Sequence, residues 1–393
     1  MPGRTALSIP APIKSVQNWM TEIIFTDDFQ LIDVSQAAPT GAPPRELREA
    51  MAEFVANDSE AHLYGSILGM PRLRHSLASH WSTVYGSTKT SENIAITSGC
   101  NQAFCATISA LAREKDEIII AAPWYFNQKM WLDMMGINVC SIECGENMLP
   151  SADDAEKLIN RKTKAICLVS PNNPAGIEYP DTLLHAFLDI SVRHGVKLVL
   201  DETYKDFHSN PSRPHSLCTR DDSKDSLIQL FSFSKSYRLM GHRVGAIITS
   251  PSLLLEIEKF LDTVTICPSQ VGQYGAYWGL ENMSSWLIEQ RQEFFKRGHF
   301  LEEHFTTLRD IGWRILGKGA YFVYVEHPFS QSSDAIARAL VKQAAILCLP
   351  GTMFAPPEMT APQRHLRIAF ANIGCNQIKI LIQRLHKFSL DLA

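Results

Sequence analysis

No apolar stretch in this chain of 393 residues approaches the length needed to cross a bilayer, and no run of lysines and arginines is long enough to track a phosphate backbone or an anionic membrane surface. With 37 basic against 41 acidic residues the formal charge is −4, which argues against nucleic acid as a partner. Cysteine is present but never in a CxxC pair: the nearest neighbours are Cys100/Cys105 and Cys140/Cys144, and the total of nine is odd. Redox and zinc motifs are therefore missing, and a reduced, cytoplasmic setting is expected. The first residues, MPGRTALSIPAPIK, place prolines where a secretory signal needs its apolar segment, so export is not expected either. There is no internal repeat and no low-complexity tract.

A content of 45% hydrophobic residues over this length suffices for a large core and suggests two folded units. From about residue 93, short branched and apolar runs alternate with amphipathic stretches: 94–97, 117–122, 137–142, 165–170, 197–202, 228–233 and 244–249. Buried parallel strands read this way, and segments 101–113, 125–136 and 181–194 have helical length and spacing. The expected fold is α/β, with a mostly parallel seven-stranded sheet in a large domain over 46–285. The pattern changes beyond about 280. Segment 284–309 carries Trp286, Phe294, Leu301, Phe305 and Leu308 on one face, which predicts a single long helix. WRIL, AYFVYV and LRIAFA follow as strands, with helices at 333–343 and 375–389. A smaller α+β domain is expected from 286–393 together with an N-terminal arm, 1–45.

Four segments carry chemistry. SFSKSYRLMGHRVGA at 232–246 sets Lys235 in a turn after a strand, with Ser232 and Ser234 close by and Arg243 eight residues on. A lysine that forms imines must shed its proton, and a desolvated or cationic setting promotes that. SPNNPAG at 170–176 presents Asn173 at the carboxyl edge of the sheet, where open α/β folds bind ligands. LDETY at 200–204 ends a buried strand with Asp201, an acid that needs a partner, and adds Tyr204. TSGCNQAF at 97–104 offers a glycine turn, then the backbone amides of Cys100 and Asn101 at a helix start, which suits a phosphate.

Taken in order, NPxG, DExY and SxSK…GxRxG resemble the class I/II aminotransferases, the fold-type I enzymes of the aspartate aminotransferase superfamily, over residues 34–371. The resemblance implies a pyridoxal 5′-phosphate (PLP) cofactor held as an imine on Lys235, which also shuttles the substrate proton. It implies that Asp201 meets the pyridine nitrogen and that Asn173 and Tyr204 reach the ring oxygen. Ser232, Ser234, Arg243 and the amides of Cys100 and Asn101 would hold the phosphate. Tyr125, between Trp124 and Phe126, would stack on the ring, and Arg367 in LRIAFA would grip the substrate carboxylate beside Asn173. Tyr64 would cross a homodimer interface to the phosphate of the second subunit. The activity implied is ping-pong transfer of an amino group from an L-α-amino acid to a 2-oxo acid. C–S β-lyase, racemase and oxygen-using oxidase or decarboxylase chemistry are alternatives on the same scaffold. A ligand-sensing domain of a transcription regulator is a weaker alternative, since it needs a helix-turn-helix ahead of residue 30.

Two positions depart from the family pattern: Ala37 stands where a glycine is usual, and His242 precedes Arg243 where a larger aromatic is common. HFLEEH at 299–304 puts His299 and His304 about 140° apart on a helix, so no metal site is expected. Trp19, Trp124, Tyr125, Phe126 and Trp131 together point towards an apolar or aromatic substrate side chain.

Overall fold

The computed structural model describes residues 3–392 apart from 22, 27, 28 and 211. Its strands, in chain order, are β1 (Ile32–Asp33), β2 (Ile94–Thr97), β3 (Glu117–Ala122), β4 (Asn138–Glu143), β5 (Thr163–Val169), β6 (Lys197–Asp201), β7 (Leu227–Ser232), β8 (Gly245–Ile248), β9 (Arg314–Gly319), β10 (Phe322–Glu326), β11 (Ile346–Leu347), β12 (Leu349–Pro350) and β13 (His365–Ala369). β2 to β8 form one sheet in the order β2-β8-β7-β6-β5-β3-β4. All of its pairings are parallel except those of β8, which runs antiparallel to both β2 and β7. The mostly parallel seven-stranded sheet matches the expectation.

The reason lies in burial on both faces. β2, β6, β7 and β8 carry almost nothing but buried residues, because the helices that link the strands cover the sheet front and back. The helix Asp181–His194 shows how one such crossover is bounded. Pro180 precedes it, Asp181 sits in its first turn, and Gly195 at φ 67° ends it in the left-handed conformation that glycine adopts without penalty.

β9, β10, β12 and β13 make a separate antiparallel sheet, and β1 pairs in parallel with β11. Helices Ser333–Ala344 and Cys375–Leu392 pack on this part, and Leu301, Phe305, Trp313, Val323, Leu340 and Leu381 fill a core distinct from that of the large sheet. Each such side chain contributes about 1.5–3 kcal/mol on burial. The single long helix expected over 284–309 is instead two, Ser284–His304 and Thr306–Arg309. Phe305 stands between them, fully buried, its N–H shared between the carbonyls of Leu301 and Glu302. The chain tightens there, and Phe305, Leu308 and Trp313 all reach the same core.

No helix among the described residues is long and apolar enough to cross a membrane.

Candidate active site

The sequence segments with chemistry all follow the carboxyl ends of strands, and the sheet order brings those ends together. A cavity of about 290 Å³ opens there, lined among others by Cys100, Asn101, Tyr125, Asn173, Asp201, Tyr204, Ser232, Ser234, Lys235, Arg243 and Arg367. Eleven of the twelve expected site residues therefore meet in one place. Tyr64 does not line the cavity; it is 81% exposed on the surface of the single chain.

After β2 the chain turns at Gly99, φ 85°, into the helix Cys100–Leu111. The first amides of a helix have no acceptor within it, so Cys100 and Asn101 offer N–H groups at its positive end. Arg243 adopts a left-handed conformation, φ 53°, that brings its guanidinium against Gly99; a β-carbon on Gly99 would collide with it. Gly245 matters for a similar reason, since a β-carbon there would stand 2.6 Å from both the Cys100 nitrogen and the Gly99 carbonyl carbon. With Ser232 and Ser234 on the same wall, these groups form a compact set of anion donors.

Asp201 closes β6, buried to 4% exposure. Its Oδ1 accepts from the Thr203 amide (3.0 Å) and hydroxyl (2.7 Å), and its Oδ2 from Gln128 Nε2 (3.0 Å). The Cys100 thiol lies 3.6 Å from Oδ1. Burial, with a smaller push from the neighbouring Glu202 charge, raises the Asp201 pKa above the ordinary carboxylate value against the opposing hydrogen bonds of Thr203 and Cys100. Its neighbour Glu202 points the other way and is met by the Tyr85 hydroxyl (2.5 Å), Gln229 Nε2 (2.6 Å) and His215 Nε2 (3.1 Å). Burial pushes Glu202 up, yet His215 and these donors bring it below its usual value overall. At the end of β6 two adjacent carboxylates thus face opposite ways, Glu202 into a closed polar cluster and Asp201, hydrogen-bonded by neutral donors, onto the cavity.

The Lys235 amine is lowered to about 8, first by burial and then by the charges of Arg367 and Arg243. It donates to the Ala37 carbonyl at 2.5 Å. Arg367, on β13 and 2% exposed, lies between the rings of Phe322 and Phe354, 5.1 and 5.2 Å from their centres. Its Nη1 donates to Asn173 Oδ1 (2.9 Å) and its Nη2 to the Ser35 carbonyl, while Nε is buried without a partner. Burial lowers its pKa to about 10. Asn173 is free for this contact because the adjacent Asn172 holds the turn, accepting from the Ala175 amide at 2.9 Å.

Among the aromatics the structure discriminates. Tyr125 and Phe126 line the cavity, and the Tyr125 hydroxyl donates to Asn101 Oδ1 at 3.3 Å. Trp19, Trp124 and Trp131 do not line it, which removes three of the five residues behind the expectation of an aromatic substrate. Gln128 and Met240 were not legible as site residues, nor were Ile13, Gln36 and Ala38. Gln128 sits three residues after Tyr125 on the helix Phe126–Met135, and nothing in that spacing says that it faces β6.

The residues fit a group that combines a phosphate, a ring nitrogen and an aldehyde. The helix start with Arg243 suits the first, the buried Asp201, held by neutral donors alone, the second, and the partly deprotonated Lys235 the third. The orphaned Arg367 Nε suits a substrate carboxylate. Such a site defines an enzyme that acts on amino acids through a carbonyl cofactor anchored by its phosphate.

Residues 30–385 match the family described as aminotransferase class I and II. The aromatic aminotransferase ISS1 of Arabidopsis thaliana is 27% identical, with 98% of this chain and 96% of that protein aligned. An aspartate aminotransferase of Thermotoga maritima is 25% identical, with 87% of each chain aligned. The solved aspartate aminotransferase of Thermus thermophilus with maleate superposes with a TM-score of 0.87 at 22% identity, covering 99% of this chain and 100% of the other. The chain belongs to the class I and II aminotransferase family. It is a PLP-dependent enzyme that moves an amino group from an amino acid to a 2-oxo acid.

Proposed function

We propose that Lys235 is the catalytic lysine and that the surrounding residues divide the work as follows. When bound, PLP supplies an aldehyde for the amino group and a ring that withdraws electrons from the substrate Cα. Lys235 Nζ accepts the proton released at that Cα and returns it on the other side of the transfer. An amine lowered to about 8 can do both near neutral pH. Asp201, held in place by Thr203 and Gln128, keeps a proton on the ring nitrogen. Arg243, Ser232, Ser234 and the amides of Cys100 and Asn101 hold the phosphate, so the cofactor stays put when its amino partner changes. Tyr125 packs on the ring face, and Asn173 and Tyr204 address its oxygen.

Arg367 binds the substrate carboxylate as a bidentate pair, which orients the Cα bond to be broken and excludes simple amines. Its cradle of Phe322, Phe354, Asn173 and the Ser35 carbonyl fixes the guanidinium plane beforehand.

We also propose a homodimer in a reducing, cytoplasmic compartment. Leu63, 62% exposed, and Tyr64 form an apolar surface that a second copy would cover, with Tyr64 reaching the other subunit's phosphate. The nine cysteines are all free, which fits the compartment.

The observation that carries the reading is the meeting of Lys235, Asp201, Arg243 and Arg367 in one cavity. Mixing the PLP-loaded protein with an amino acid alone should convert at most one equivalent, and a 2-oxo acid should restart turnover. Continuous ammonia release without a 2-oxo acid would overturn transamination in favour of lyase or oxidase chemistry.

A further inference from the structure

We infer that the amino-acid substrate carries an uncharged side chain, apolar or aromatic, and that the site selects against dicarboxylic amino acids. The inference rests on the roles proposed above for the cationic residues. Three cationic side chains line the cavity, and each is already engaged: Lys235 with the amino group, Arg243 with the phosphate and Arg367 with the α-carboxylate. None is left for a second carboxylate. The wall that remains for the side chain includes Ile13, Gln36, Ala37, Ala38, Phe126 and Asn127, none of them charged.

The two amides on that wall can meet a phenol hydroxyl or an indole N–H. They do not neutralise an anion. A carboxylate entering this space would leave water without gaining a counter-charge. An aromatic or branched side chain instead meets Ile13, Phe126 and two alanine methyls.

Neighbouring segments do not supply the missing cation. Lys14 follows Ile13 but is exposed. Arg72 lies just beyond the exposed pair Leu63 and Tyr64, but its guanidinium is held over the rings of Phe54, Tyr274 and Tyr277, 5.3, 5.0 and 5.4 Å from their centres, with Glu60 at 3.9 Å. His62, beside Leu63, is engaged with the Val55 carbonyl at 2.9 Å.

Two unreactive substrate analogues test this by equilibrium binding, without turnover. The PLP-loaded protein is titrated with 3-phenylpropanoate and with succinate, and binding is followed by calorimetry and by the absorbance of the bound cofactor. The expected dissociation constant for 3-phenylpropanoate is at least tenfold lower than for succinate. In N127R, succinate should tighten at least tenfold. Succinate binding as tightly as 3-phenylpropanoate to the unmodified protein would overturn the inference, as would binding of neither by a protein that carries the cofactor absorbance. A protein that stays colourless with PLP would overturn both this inference and the assignment of Lys235 beneath it.

Discussion

A lysine with an ordinary pKa would be almost wholly protonated at pH 7, with about one amine in several thousand neutral. Lys235, lowered to about 8, keeps roughly a tenth of its amine neutral at that pH. The sign follows from the charge: burial beside Arg367 and Arg243 disfavours the cation, so the neutral, nucleophilic form gains as pH rises through 8. Capture of added PLP by cofactor-free protein, read as the growth of visible absorbance, should therefore quicken about tenfold per pH unit up to about pH 8 and level off above. A profile still climbing at pH 10 would contradict the lowered pKa. Gln128 offers a second test at this scale. In Gln128→Leu, Asp201 loses a hydrogen bond to its carboxylate worth about 1.5–3 kcal/mol, so the PLP dissociation constant should rise about tenfold to a hundredfold. An unchanged constant by equilibrium dialysis would remove Gln128 from the support of Asp201. Lys235, Asp201 and Asn173 were legible in the sequence because each stands in an ordered motif after a strand. Gln128 was not, because its role depends on how one helix is rotated against β6.

Among elements, the join between β2, β8 and the helix Cys100–Leu111 sets the phosphate end of the site. β8 can lie close to the helix start only because position 245 has no β-carbon: one placed there would stand 2.6 Å from two backbone atoms of Gly99 and Cys100. Gly245→Ala should push the helix start away and cost about 1–3 kcal/mol of stability, as a lower thermal midpoint, with PLP affinity falling alongside. An alanine variant that melts and binds like the parent would show that the close approach is not needed. The strands of this sheet could be read from the sequence, since burial on both faces leaves runs such as EIIIAA and KLVLD with no other use. Of the helices around it, only those near 101–113, 125–136 and 181–194 could be read, and ones such as Pro71–Tyr85 and Pro251–Thr265 could not. The break at Phe305 could not, because spacing alone continues a helix until tertiary packing turns it.

For the molecule as a whole, the active site is a junction. Arg367 comes from the small antiparallel sheet, Asn173 from a loop of the large one, and the Ser35 carbonyl from the N-terminal segment, and the three are tied together. The loop with Asn173 also docks backbone to backbone on β9. Gly176, φ 74°, would place a β-carbon 2.5 Å from the Gly319 nitrogen, so side chains are excluded from both partners. No period or motif in the sequence announces that contact, because it depends on two distant glycines meeting. The same limit applied to Tyr64, which the resemblance assigned to a neighbouring subunit and which stands free on one chain. Two defective variants test that assignment in combination. Lys235→Ala lacks the catalytic amine but keeps Tyr64, whereas Tyr64→Ala keeps the amine and weakens the phosphate site it would complete in the other subunit. If subunits exchange, a mixed dimer contains one site with both groups intact, and an equal mixture should regain about a quarter of the wild-type sites at low PLP. Recovery should appear only after a cycle of dissociation and reassociation. A mixture that stays at the mean of its two components would place Tyr64 outside the shared site and leave each subunit to bind its phosphate alone.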